Sequence, residues 1–196
     1  MATGFGLKPV RNKNGSPYNG EASLYYLPST DASDIGKYEA VKLVAAMDTP
    51  GQVSVVAQAA AGDALIGSVV GIVPNGSIAL NKIYRPASTG CYVLVADQPD
   101  LIFEIQEDAV GGAVSAANIG QHYNADIIVV SATANANTAT GMSKTMLDSS
   151  DAKAATATLK IIGVRRDQSN TAAQSGGAIL EVMIHEHALD VDDSVT

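Results

Sequence analysis

The sequence predicts a mainly β protein whose antiparallel sheet is closed or nearly so. Three observations carry this. Segments of alternating apolar and polar residues recur along the chain, "LIFEIQ" (101–106) being the clearest, and a two-residue period marks a half-buried strand. Ala, Val, Ile, Thr and Gly dominate, with no Trp and only 2 Phe; small and β-branched side chains suit a pleated surface. "ALIGSVVGIV" holds Gly67 and Gly71 inside a strand pattern, which marks a bulge or strong curvature, as in a small barrel.

The elements follow in order. Residues 1–22 hold Gly4, Gly6, Pro9, Gly15 and Pro17, which disfavour helix, and they read as an extended N-terminal arm. Phe5 and Leu7, two apart, face the same way in such an arm. "ASLYYLP" (22–28) is a strand ended by Pro28, and "EAVKLVAAM" (39–47) is a second. "VSVVAQA", the turn "AAGD" and "ALIGSVVGIV" give two more. "GCYVLVAD" (90–97) is apolar on both faces and reads as a central strand. "LIFEIQ" follows, and Ser115 is an N-cap for one or two helical turns through Gln121. "ADIIVVSA" (125–132) is a strand, "TANANTATGMS" (133–143) a loop, and "ATATLKIIGVRRD" (155–167) and "AILEVMIHEHAL" (178–189) the last strands. The total is about nine strands with little helix. The expected organisation is an arm over 1–22, a single β-rich barrel-like domain over 23–190, and an acidic tail over 191–196.

The net charge is −8, which argues against nucleic-acid binding, since that needs a basic surface. The charge is uneven. Residues 1–20 carry Lys8, Arg11 and Lys13 and no acid, whereas residues 181–196 carry Glu181, Glu186, Asp190, Asp192 and Asp193 and no Lys or Arg. Cys91 is the only cysteine, so no intrachain disulfide forms. The start lacks the apolar stretch of a signal peptide, and no apolar run reaches the ~18 residues of a membrane span.

Five places invite a chemical reading. "DQPDLIFEIQEDA" (97–109) holds five acids, but its two acidic ends sit roughly 20 Å or more apart along a strand, and acid/base pairs need about 5–10 Å. "HEH" (185–187) puts two imidazoles on one face of a strand, still short of the third and fourth ligands of a metal site. Cys91 opens an apolar strand, where thiols are buried and inert. Asp63 in "AAGD" reads as a cap on turn amides, and "VRRD" (164–167) as a solvated ion pair. No GxGxxG, GK[ST] or GxSxG motif is present. The expectation is no catalytic residue, no metal and no cofactor.

"GFGLKPVRNKNGSPYNGEASLYYLP", "VAQAAAGDALIGSVVGIVP", "YRPASTGCYVLVADQPDLIFEIQEDA" and "GMSKTMLDSS" resemble small virion proteins of tailed bacteriophages, the head decoration, stabilisation or cement proteins. The resemblance runs from about residue 4 to residue 185, and "GDALIGSVVGI" is similar to the turn-and-strand element of decoration proteins with a compact tulip-like barrel. It implies an all-β fold and no enzymatic activity. It also implies a homotrimer or other oligomer on the outer capsid face, bound to the major capsid protein, with neither nucleic acid nor membrane as partner. A head-fibre base, another minor capsid component, or a soluble ligand-binding β-barrel are the alternatives. The resemblance transfers no binding residue. From the composition of the arm itself, Phe5, Leu7, Lys8, Arg11 and Lys13 are the expected contacts with the capsid or a neighbouring copy, laid along a sheet edge by backbone hydrogen bonds.

Overall fold

The computed structural model describes residues 4–75, 78, 82–152, 157–172 and 177–189. Within them the chain runs β1 (Lys8–Asn12), β2 (Ser23–Leu27), β3 (Ala40–Met47), β4 (Ser54–Gln58), β5 (Gly67–Val73), β6 (Cys91–Ala96) and β7 (Leu101–Gln106). It continues through α1 (Ala116–Gly120), β8 (Asn124–Ala125), β9 (Ile127–Ile128), β10 (Met146–Leu147), a 3-10 turn (Ser149–Asp151), β11 (Leu159–Val164) and β12 (Ile179–Ile184). The mainly β expectation holds. Ser115 caps α1 as expected, its side chain accepting from the Asn118 amide.

The strands form two systems. In the first, five strands neighbour one another in the order β2-β4-β3-β5-β6, and β6 returns to β2. The seam between β2 and β4 is a single parallel bridge, Tyr26 to Val55, whereas β2 and β6 pair antiparallel from Ser23↔Val95 to Leu27↔Cys91. The curvature has a visible cause. Gly67, at φ 152°, passes so close to the Ala96 carbonyl that a Cβ would collide with it, and the β5–β6 register shifts between Val69 and Gly71. The interior of this ring is filled by Tyr25, Leu27, Val41, Val56, Ile66, Val69, Cys91, Val93 and Val95.

The second system is an open antiparallel sheet, β1-β7-β12-β11-β8. Burial alternates strictly along β12, as a one-sided sheet requires. Its inner face packs Leu101, Phe103, Ile105, Leu159, Ile161, Leu180 and Val182 into a cluster that also takes Ala40, Leu65 and Ala96 from beside the ring. The two systems therefore share a core.

Two expectations need correction. The N-terminal segment is not an arm projecting from the domain. Its β1 is the edge strand of the chain's own sheet, in register with β7 at Lys8↔Glu104 and Asn12↔Leu101. Gly6 runs against the Tyr38 carbonyl closely enough to exclude a Cβ. An extended, Gly- and Pro-rich segment suits an edge strand as well as a free arm, so composition alone does not separate the two. The strand expected over 125–132 is broken into β8 and β9 with nothing beyond Ile128. The reason is Asp126, whose Oδ1 accepts from the Thr158 amide at 2.9 Å and its hydroxyl at 2.6 Å. The acidic tail at 191–196 lies outside the described residues.

Candidate functional site

Four of the five acids of 97–109 have a structural task. Asp97 accepts from the Tyr25 hydroxyl at 2.9 Å. Glu104 faces Lys8 at 3.6 Å and Arg165 at 3.9 Å. Glu107 is fully buried and accepts from the Val114 and Ala178 amides at 2.7 and 2.8 Å. Burial raises its pKa, and those bonds oppose the rise. Asp108 accepts from the Ser149 amide and hydroxyl. Asp63 caps its turn through the Ala60 amide, as expected, and also holds Lys42.

The residues expected to make contacts divide. Leu7 is 0% exposed within the shared core, so it has no surface to offer a partner. Arg11 binds Glu181 of β12 at 2.6 Å across the same outer face of the sheet. Lys13 is exposed, and its amide bonds the Asp100 carbonyl. Phe5 and Lys8 line a groove of about 470 Å³ with Tyr38, Met142, Arg165 and Ile179. The opposite charge of this segment is therefore met inside the chain, by Glu104 and Glu181.

The two histidines of 185–187 do not share a face. β12 ends at Ile184, and a bend turns His185 to solvent while His187 is buried in a bridge to Leu65. Among the described residues no three His, Cys, Asp or Glu side chains gather as a metal set. Cys91 is buried as expected. Burial pushes its thiol up to about 11, against the pull of the Arg85 charge, so it is a poor nucleophile at neutral pH. Arg85 itself is fully buried and donates to the carbonyls of Pro28, Asp31, Ser33 and Thr89. It ties together the loops at one end of the ring.

Sequence reading missed two features. The first is the outer face of the ring. Leu24 stands opposite Leu94, and Tyr26 opposite Tyr92; Gly71 and Val73 of β5 continue the two rows. Leu24 is 47% exposed, Leu94 37% and Met47 53%. The tyrosine rings pack at 5.2 Å beside a groove of about 730 Å³ lined by Val44, Met47, Asp48 and Val55 among others. Asp48 is fixed there, accepting from the Tyr92 hydroxyl and the Gln52 and Val53 amides, bonds that hold its carboxyl below the usual range. The signal is present in "GCYVLVAD": a strand apolar on both faces is expected to be buried on both, yet one face is open.

The second is a buried polar cluster where β3 begins. Glu39, Asn135, Ser143 and Thr145 are each 0% exposed. Asn135 donates to both Glu39 oxygens, at 2.9 and 3.0 Å, and Thr145 donates to Oε1 at 2.8 Å. Burial raises the Glu39 carboxyl to about 7, and the hydrogen bonds limit the rise. Nothing in "KYEAVK" separates this acid from an exposed one.

No protein-family model, no curated protein and no solved structure matches this chain.

Proposed function

We propose that this chain is a structural virion protein that binds the outside of a tailed-phage head and stabilises it by clamping neighbouring major capsid protein subunits. The observation that carries the reading is the apolar outer face of the ring, built from Leu24, Leu94, Met47 and the Tyr26–Tyr92 pair. Exposed contiguous apolar surface marks an interaction site, and tyrosines are favoured anchors there. The sequence resemblance supplies the kind of partner. On this reading the ring is the compact barrel of a decoration protein, and the open sheet is the platform that holds it. Several copies, as in a homotrimer, bind far more tightly than one through effective concentration. A ligand-carrying barrel is the weaker reading, because side chains fill the ring's interior.

The test is co-sedimentation with heads stripped of the protein. The intact chain pellets with the heads. Leu24→Glu combined with Leu94→Glu leaves the far-UV spectrum unchanged and weakens binding at least about tenfold. Undiminished binding by the double variant removes this face from the account. Failure of the intact chain to bind any head removes the proposal.

A further inference from the structure

We infer that Thr145 and Asn135 become joined through their side chains by an ester, formed once by the chain on itself with Glu39 carrying the proton. This does not depend on the identity of the partner.

The geometry around the Asn135 Nδ2 is the starting point. Four oxygen acceptors surround it: Glu39 Oε1 at 2.9 Å, Glu39 Oε2 at 3.0 Å, Thr145 Oγ1 at 2.8 Å and Ser143 Oγ at 3.4 Å. A carboxamide nitrogen has two hydrogens to donate. The acceptors outnumber those hydrogens, and the same oxygens can hold the ammonia or ammonium that departs. The other parts of an acyl transfer are also present. Thr145 Oγ1 donates to Glu39 Oε1 at 2.8 Å, which pairs a nucleophile with a base. Asn135 Oδ1 accepts from the Val130 amide at 3.2 Å, where an oxyanion would need a donor. Ser143 is the poorer nucleophile, since its Oγ lies farther from the amide nitrogen and already accepts from the Thr145 amide at 2.9 Å.

The step balances without an added reagent. Glu39 takes the Thr145 hydroxyl proton as Oγ1 attacks the Asn135 carboxamide carbon. The tetrahedral oxyanion rests on the Val130 amide. Collapse breaks the C–N bond, and Glu39 returns the proton to the nitrogen, which leaves as ammonia. An ester and the original carboxylate remain. A carboxyl that titrates near 7 is suited to both transfers. Full burial of all three side chains excludes the water that would hydrolyse the product. The backbone presets the encounter: Ala136 bridges Ser143, and the Lys144 amide bonds the Asn135 carbonyl at 2.8 Å.

Mass spectrometry of the full chain under denaturing conditions tests this, and the readout survives even in a variant that folds poorly. The expected wild-type mass lies below the sequence mass by one ammonia, and Thr145→Val has its full sequence mass. Asn135→Asp reaches the wild-type product by losing water instead. Trypsin cuts after Lys144, between the two partners, so the peptide ending there and the peptide beginning at Thr145 stay joined until hydroxylamine cleaves the ester. A wild-type mass equal to the sequence mass, or an ammonia loss that persists in Thr145→Val, overturns the inference.

Discussion

The ring and the open sheet differ in how their outward faces are finished. The sheet's outer face pairs its charges: Lys8 and Arg165 with Glu104, and Arg11 with Glu181. The ring's outer face carries Leu24, Leu94 and Met47 to solvent. Both surfaces alternate along their strands, so the same period gives two different outcomes. The difference teaches that one β system pairs its outward groups within the chain while the other leaves apolar groups open to water; on the function proposed above, the sheet is the support and the ring the recognising part.

The largest effect is expected from breaking the sheet. Deleting residues 2–16 removes β1 and Leu7 together, uncovering the edge of β7 and part of the shared core, and the truncated chain is expected to lose its cooperative unfolding transition. Leu7→Ala alone should cost about 2–5 kcal/mol in urea unfolding. A truncated chain with unchanged stability would show that the segment is a free arm.

How far this was legible follows from such cases. The strands at 23–27, 40–47, 54–58, 67–73, 91–96, 101–106 and 179–184 announce themselves through period and turn residues, as does the Ser115 cap. Partner choice does not. Lys8 and Arg11 find acids that lie far along the chain, Arg11 and Glu181 being 170 positions apart, and charge pattern alone cannot tell those acids from a neighbour's. Glu39 meets Asn135 and Thr145 across 96 and 106 positions. Burial of an acid is decided by those distant contacts and leaves no local mark.

Next in size is the pH dependence set by Glu39, at the start of β3. With the Asn135 and Thr145 hydrogen bonds in place, its folded pKa of about 7 exceeds the ordinary carboxyl value of 4.5, so between those values the folded chain holds a proton that the unfolded chain has released. Stability is then fully present below about pH 4.5 and declines as pH rises to 7, by up to roughly 3 kcal/mol. Glu107, also raised, acts in the same direction. Urea unfolding at pH 5 and pH 8 should show the loss, and Glu39→Gln should flatten it. A chain more stable at pH 8 than at pH 5 would contradict the assignment.

Neighbouring residues of one strand sharpen the contrast further. Val93 faces the ring interior and Leu94 its exterior. Val93→Asp should prevent folding, because it buries an unpaired charge. Leu94→Asp should change stability by less than about 1 kcal/mol. On the sheet, Arg11→Ala breaks a partly exposed ion pair, and its expected cost is similarly below about 1 kcal/mol. Thermal melts of the three variants give the ranking.

Methionine oxidation compares the two regions in a single experiment. Met47 borders the ring groove and is 53% exposed, while Met142 lies beside the Phe5 groove and is 39% exposed. Both react with peroxide in the free protein, since exposed thioethers do. On the head, the account predicts that Met47 is protected and Met142 continues to oxidise at its free rate. Protection of Met142 with Met47 still reactive would assign recognition to the Phe5 groove and contradict the central claim.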